Sequence, residues 1–572
     1  MKKRRLLQFR PRSFELFSSR SPKVSLPTEI VSGITVGLIA IPLALALGIA
    51  SVPTGAETPL AAPALGILTA VIAGFIISAL GGSRVQIGGP TAAFIPIIIL
   101  IISRHGYSGL LLATMMAGVI LIVMGLARMG ALIKFIPWPV TSGFTSGIAV
   151  AIIVTQIPDF LGLGVESAMP QEFFEKWPWL LEHAGLINLP SALLAIGSVA
   201  VILLWPKLRL KFIPGSIVGM LGATLLVALF GWGDRFEIAT IGSKFGPGAI
   251  PSSLPLPQMP DWSWGMVREL IGPAMAIALL GAIESLLSAV VADGLSGDRH
   301  DSNTELVAQG IANLVCPFFG GLPATGAIAR TSANINNGGK SPISGIVHSL
   351  TILLVVFLAA RWVSYIPMAA MSAVLVVVAL RMGEWNELRR MPKMPASDAL
   401  VLTTTFALTV VFDLVIAVEV GMVLAAMLFI KRISETTEVS LVTTNDELER
   451  PEHIAQGKHI PEGVLVYRIF GPFMFGAAEK MEDALSRIEE HPKVLILRLH
   501  LVTAMDATGM NALESIVERM RHQGSHVILS GIHQQPLQML RKAGFLEILK
   551  IENFCATFDD ALIRAESLLE AR

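Results

Sequence analysis

The sequence predicts a polytopic α-helical membrane domain of fourteen elements with an internal inverted repeat, and a small α/β domain after it. Three observations carry that prediction. The chain of 572 residues is 53% hydrophobic and only 15% charged, whereas a soluble protein carries about a quarter charged residues. The deficit is uneven, because Glu57 is the only charge between Val31 and Ser83, while residues 431–572 read as ordinary soluble sequence. Two short, interrupted apolar segments also stand in corresponding places in the two halves, as an inverted-repeat transporter requires.

The chain begins with a basic cluster, Lys2, Lys3, Arg4, Arg5, Arg10 and Arg12, ahead of the first apolar run. The positive-inside tendency therefore puts the N-terminus in the cytoplasm. The next stretch, FELFSSRSPKVSLPTE, is too polar for the core of a signal peptide. Apolar segments follow at 30–50, 63–80, 91–103, 110–126, 140–157, 191–204, 216–230, 270–292, 306–319, 343–360, 368–380, 400–412 and 415–430. A helical crossing takes about 20 residues, and 91–103 is clearly too short. Residues 326–337 are too polar to be a span, yet they lie between two. Paired with 91–103 they make the fourteenth element. An even count returns the C-terminal domain to the cytoplasm, in accord with Lys431 and Arg432 at the last helix end. The division is then 1–28 cytoplasmic segment, 29–432 membrane domain, 433–460 charged linker and 461–572 soluble domain.

The interrupted segments repeat. Gly89-Pro90 precedes the first short helix, and Ala329-Arg330 takes the corresponding place in the second. FIPWPVTSG (135–143) follows the first and YIPMAAMSA (365–373) the second. Irregular backbone at membrane depth is tolerated only where protein buries it or it lines a cavity. A helix starting at Pro90 directs free N–H groups and a positive dipole end inward, and proline suits that first turn because it lacks an N–H. Two such half-helices facing each other form an anion site at the midplane. A Gly-Pro turn closing a plain hairpin is the alternative, and it leaves the repeat unexplained.

Charged residues inside apolar spans mark function. Arg330, in GAIARTSANINNGGKSPISG, either attracts substrate or balances Glu284; a snorkelling arginine at a helix end is the structural alternative. Glu284, in AMAIALLGAIESLLSAVVADG, is the only charge from Met275 to Ala292. A carboxylate there must be neutralised, paired or bound to an ion, which makes it a candidate proton carrier. Ser288, one turn on, shares its face. Glu305 and Gln309 in NTELVAQGIAN lie on one face at a helix start, where a capping and positioning role leads. Asp159, Asp398 and Asp413 sit near segment ends and read as interface residues. No nucleophile triad, Walker loop or metal cluster is present in the sequence, so an ATP-driven pump is disfavoured and neither an enzyme nor a cofactor is expected. The 43 basic and 43 acidic residues balance, so nucleic acid is not an expected partner. Cys316 and Cys555 are too few and too distant for a disulfide framework.

The tail alternates strand and helix: VLVYRIF, KVLILRLHLV, the helix in AMDATGMNALESIVERMRHQG, and HVILSGI. This pattern predicts a small α/β sheet domain. It resembles a STAS domain, with DATG (506–509) matching the loop before that family's second helix. Relatives with a phosphorylated serine carry it directly after the aspartate; Ala507 occupies that place here and Thr508 is one place too late.

With this tail, the whole chain resembles the sulfate permease (SulP) family. GITVGLIAIPLALA (33–46), GGSRVQIGGPTAAF (81–94), NTELVAQGIANL and GAIARTSANINNGGKSPISG carry the likeness. The resemblance implies a seven-plus-seven inverted repeat of the uracil-permease type, with core and gate subdomains and elevator-like alternating access. Substrate would sit between the first span and the half-helices of the third and tenth elements, at Leu43, Leu47, Pro90, Thr91, Ala329 and Arg330. Glu284 and Ser288 would hold the coupling ion, and Glu305, Gln309 and Gly326 would be structural. Many eukaryotic members carry glutamine at the place of Leu43, so a plain sulfate or chloride assignment is weakened. A bicarbonate-transporting branch has a sodium-binding aspartate at the place of Glu284. Glutamate there resembles proton-coupled bacterial members, including the dicarboxylic acid transporter type, to which LGAIESLLSAVVADG is similar. The resemblance thus implies a proton-coupled symporter of a four-carbon dicarboxylate such as succinate or fumarate, with the proton rather than sodium as coupling ion. Sulfate and sodium-coupled bicarbonate transport are the alternatives, and a membrane scaffold or sensor recruiting a partner through the STAS domain is the reading of another class. A bacterial inner membrane, cytoplasmic termini, a homodimer and a cytoplasmic protein partner of the tail are the accompanying expectations.

Overall fold

Pro27 in its first turn starts a helix, α1 (Leu26–Ser51), that carries on through an internal Pro42. Proline is tolerated in a first turn because the N–H it lacks has no helical acceptor. The computed structural model describes residues 9–17, 25–53, 55–131, 137–165, 169–170, 172–208, 214–246, 249–250, 253–412, 414–441, 459–474, 480–481, 483–485 and 492–570. Asp413 and the basic residues 2–5 lie outside them. After α1 come α2 (Ala62–Leu80), β1 (Gly88–Gly89), α3 (Ile95–Leu126), α4 (Trp138–Leu161), α5 (Leu189–Leu204) and α6 (Gly215–Leu229). The second half runs α7 (Ile271–Ser296), α8 (Ser302–Val315), β2 (Thr325–Gly326), α9 (Ile328–Asn336), α10 (Pro342–Val363), α11 (Met368–Met382), α12 (Ala396–Val411) and α13 (Leu414–Thr436). Segments 91–103 and 110–126 are two arms of α3, which kinks where Gly106 takes φ 68°. Counting both arms gives seven membrane elements in each half among the described residues. Among these residues α1, α2, the stretch Ala92–Leu126, α4, α7 and α10 are each long and apolar enough to cross a bilayer alone.

Packing sorts the helices into two groups. In the first, α1 and α2 pack on α10, while α7 and α8 pack on α3, so each half embraces the fourth element of the other. In the second, α4 packs on α11 and α12, and α5 on α6 and α11. These are the core and the gate of the sequence reading. The quasi-symmetry is visible in the backbone: Pro137 before α4 has φ −65° and ψ 137°, and Pro367 before α11 has φ −69° and ψ 138°. Core helices approach closely at glycines. A Cβ on Gly66 of α2 would fall inside the contact distance of the Ala44 carbonyl on α1, and one on Gly48 would meet the Ala62 carbonyl. Small residues are what let membrane helices pack backbone to backbone.

The N-terminal segment is more than a basic leader. Arg12–Phe17 forms a short 3-10 helix docked on the turn after α2. Arg12 N donates to Gly81 O at 3.0 Å, and Glu15 accepts from the Arg84 guanidinium at 2.7 and 3.0 Å. Arg84 also reaches Asp298 at 2.8 Å.

The chain divides into two compact units, 1–423 and 424–572. In the second, a five-stranded sheet runs β3 (Glu438–Leu441), β4 (Val464–Phe470), β5 (Val494–Leu501), β6 (His526–Ser530) and β7 (Phe554–Cys555) in that spatial order. β3 is antiparallel to β4, and the other pairs are parallel. Helix α14 (Ala507–His522) covers one face through Leu513, Ile516, Val517 and Met520. Helix α15 (Phe558–Glu570) covers the other through Phe558, Ala561, Leu562 and Ala565. Asp506 caps α14 by accepting from Gly509 N at 2.8 Å, which puts Ala507 at the first helical position. One expectation is corrected. The segment 433–460 does not begin as linker: 433–436 completes α13 and 438–441 is β3, because EVSL alternates well enough to pair with β4 at the sheet edge.

Candidate functional site

The site forms where the two interrupted elements cross. β1 and β2 pair antiparallel, Gly88 opposite Gly326 and Gly89 opposite Thr325. Ala327 N extends the ladder to Ile87 O at 2.8 Å. Side chains cannot be added at this crossing. A Cβ on Gly326 would collide with the Gln86 amide, which is itself held by Ser285 O at 3.1 Å and Ser285 Oγ at 3.0 Å. Gly89 has φ 144°, and the Arg330 guanidinium occupies the place its side chain would take. Opposed helices leave the crossing on each side, with a 3-10 turn (Ala92–Phe94) leading into α3 and with α9 starting at Ile328.

Two sequence assignments shift here. The helix does not begin at Pro90. The strand pairing keeps the chain extended through Thr91 (φ −127°, ψ 155°), and the first-turn proline of α3 is Pro96. Nor do Ala329 and Arg330 correspond to Gly89 and Pro90. The strand register matches β1 to Thr325–Gly326, so Ala327 and Ile328 follow β2 as Pro90 and Thr91 follow β1. Ala329 is exposed at the second position of α9, and Arg330 is buried at the third. The repeat is fixed by the paired glycines, not by the proline and the arginine.

Arg330 is only 2% exposed. Its Nη2 donates across the crossing to the Pro90 carbonyl, and its Nε has no hydrogen-bond partner among the described residues. A cation at a helix N-terminus opposes the dipole; here the Pro90 carbonyl and the attraction of Glu284 offset that. Glu284, in the middle of α7, accepts from Thr91 Oγ1 at 2.8 Å. Thr91 therefore bridges the start of α3 and the lone carboxylate. Ser288, one turn on, points elsewhere: its Oγ lies 3.3 Å from Thr331 Oγ1, which in turn accepts from Ile87 N at 3.0 Å. Thr325 Oγ1 donates to Gly281 O at 2.9 Å. Leu47 on α1 is buried, and Leu43, one turn earlier, is half-buried.

Glu305 is the brace beneath this arrangement. Its carboxylate accepts from Gly82 N at 2.8 Å, Ser83 N at 3.2 Å and Gln309 Nε2 at 2.9 Å, with Ser285 Oγ at 3.4 Å. Asp301, not Glu305, caps α8, accepting from Asn303 N and Thr304 N. The N-cap and three successive turns of α8 thus carry polar groups on one face: Asp301, Glu305, Gln309 and Asn313. Asn313 binds both Ala324 N at 2.9 Å and Ala324 O at 2.8 Å, fixing the approach to β2. Sequence reasoning missed Asn313, Thr331 and Gln86. The four-residue spacing from Asp301 to Asn313 inside an apolar helix was the signal for the first. The other two are set by long-range contacts with no local signature. Of the acidic residues at segment ends, Asp159 pairs with Lys244 at 2.8 Å, and Asp398 lies in the first turn of α12.

Comparison with known proteins gives the family and the fold. Residues 26–405 match the sulfate permease family and residues 457–561 the STAS domain. YvdB of Bacillus subtilis (strain 168), whose name assigns it provisionally to sulfate transport, is 41% identical over 93% of this chain and 96% of its own length. The bicarbonate transporter BicA of Picosynechococcus is 30% identical over 94% of each chain. Among solved structures, the transmembrane domain of a cyanobacterial BicA superposes with a TM-score of 0.59 at 29% identity, covering 70% of this chain and 97% of that one. Murine Solute Carrier 26 family member A9, inward-facing, shares the fold with a TM-score of 0.84 at 17% identity, over 97% of this chain and 94% of its own.

Proposed function

The chain belongs to the sulfate permease family and carries that family's STAS domain, and from this premise we propose that it carries a four-carbon dicarboxylate together with a proton. It is a membrane transporter, not an enzyme. The observation that carries the proposal is the 2.8 Å hydrogen bond from Thr91 at the crossing to Glu284. A threonine hydroxyl has one proton to give. While Glu284 is ionised, Thr91 spends that proton on the carboxylate. Once Glu284 is protonated, its own O–H donates to Thr91 Oγ, and the threonine proton turns toward an anion held at the helix N-termini. Proton and anion therefore favour each other's binding, which is the linkage a symporter needs.

Sodium fits this site less well than a proton. Sodium takes several oxygens, whereas a proton needs only the carboxylate, and the Ser288 and Thr325 hydroxyls are directed at Thr331 and Gly281 rather than at Glu284. The apolar α1 wall at Leu43 and Leu47 supports an anion with a hydrocarbon middle. The core, holding α3, α7 and α9, moves as one body against the gate, with the binding residues riding on the core. The termini lie in the cytoplasm of a bacterium, the protein is a dimer in the inner membrane, and the STAS domain docks a cytoplasmic partner.

The names of the relatives favour a second reading, in which the anion is sulfate or bicarbonate. Uptake of labelled succinate into proteoliposomes under an inward proton gradient, with fumarate, sulfate and bicarbonate as competitors, separates the two. Competition by fumarate alone supports the dicarboxylate. Uptake of sulfate or bicarbonate without succinate replaces it, and no uptake of any anion by the folded protein favours a scaffold or sensor.

A further inference from the structure

A cavity of about 550 Å³ is lined by the end of α1, the start of α3 and the end of α4, and its lining does not include Thr91, Glu284 or Arg330. Its lining includes Ile95 and Ile49. Along the chain, the lining thus comes within four residues of Thr91 and two of Leu47. Another part of the wall comes from the end of α4 and the connections around it, and among the described residues three charged side chains line it: Asp159, Lys176 and Lys244. Lys244 Nζ is held by Asp159 at 2.8 Å. Lys176, on the surface helix Phe173–Glu182, has no carboxylate within ion-pairing distance among the described residues, and burial pushes its ammonium below the ordinary lysine value. Its sequence neighbours Glu172 and Glu175 are exposed and do not line the cavity.

A cation partly withdrawn from water and left unpaired is unfavourable unless something anionic meets it. A cleft with low-dielectric walls and one excess charge also focuses its field on an entering ion. Gln156 and Thr155, beside Asp159 on α4, add hydrogen-bonding groups to the same wall. We propose that Lys176 and Lys244 form a second anion site in this cavity, receiving a small carboxylate or oxyanion before it reaches the crossing. The arriving anion binds Lys176 and competes with Asp159 for Lys244. The role as a staging post rests on the transport reading; the anion attraction does not.

The test needs no turnover, so its outcome is independent of which anion is carried or how it is coupled. Ala56 lines the cavity, and Ala56→Cys in a Cys555→Ser background, with Cys316 buried, leaves one accessible thiol. Its reaction rates with an anionic and a cationic methanethiosulfonate are compared in the purified full-length protein. Lys176→Gln and Lys244→Gln should each lower the anionic-to-cationic rate ratio by about fivefold, the effect of one charge across such a cavity. Asp159→Asn should raise it, a reversal that mere misfolding would not produce. Sulfate or succinate should slow the anionic reagent when both lysines are present and not in the double variant. A ratio that none of the three substitutions moves, or an anionic reagent indifferent to added sulfate, would overturn the proposal.

Discussion

Replacing Glu305 with alanine should cost the membrane domain more than any cap substitution, because of what its carboxylate holds. Three buried donors lie within 3.2 Å of it: Gly82 N, Ser83 N and Gln309 Nε2. Each donor left without a partner costs about 1–3 kcal/mol, and partial rehydration of the vacated space keeps the total near the lower end. The sum is about 4 kcal/mol. The melting temperature of the purified protein in detergent should then fall on the order of 5–10 °C. Asp301→Ala, which removes an ordinary N-cap over Asn303 N and Thr304 N, should cost only about 1 kcal/mol. Glu305→Gln should fall between the two, since its amide oxygen still accepts from one side. Anion affinity should weaken with Glu305→Ala as well, because the loop it anchors leads directly into β1. A Glu305→Ala protein melting within about 2 °C of wild type, or a larger effect from Asp301→Ala, would refute the brace.

Three further outcomes follow from the same geometry. Ala329→Trp places bulk at the exposed second position of α9; anion binding by calorimetry should vanish while the protein stays monodisperse, and unchanged affinity would put the site elsewhere. Burial would raise the Glu15 carboxyl, but its bonds to Arg84 and Arg12 outweigh this and hold it below the ordinary value of 4.5. A depressed carboxyl stabilises the fold above its unfolded value and loses that as pH falls through the folded one, so melting temperature should drop below about pH 4.5 in wild type, and Glu15→Gln should remove that part of the drop. Ending the chain after Thr436, which removes the whole sheet including β3, should change rate or yield yet leave measurable uptake; complete loss from a folded truncated protein would contradict a separable tail.

The sequence made the architecture legible because the bilayer imposes simple rules. Apolar runs, one polar interruption in each half and the recurring segments at 135–143 and 365–373 were enough to read two related halves, while core and gate came from the family resemblance. Glu284 and Arg330 stood out because charge is rare at membrane depth. The register of the crossing was not legible. Gly88, Gly89 and Gly326 look like turn residues locally, and only their pairing and the side chains of Gln86 and Arg330 crowding them reveal where each half-helix begins. The Thr91–Glu284 contact joins residues 193 apart, and no local pattern encodes such a separation. The docking of Arg12–Phe17 was likewise hidden, since a basic N-terminus reads as a topology signal whether or not it folds onto the core.

Coupling through Glu284 is the central claim, and initial uptake into proteoliposomes at several external pH values, with sodium exchanged for potassium, tests it most directly. Wild-type uptake should rise with an inward proton gradient and be the same in either salt. Glu284→Gln, which fixes the uncharged form beside Thr91, should still bind anion but lose all acceleration by external acid. A sodium requirement, or a Glu284→Gln protein that keeps wild-type pH dependence, would contradict the account.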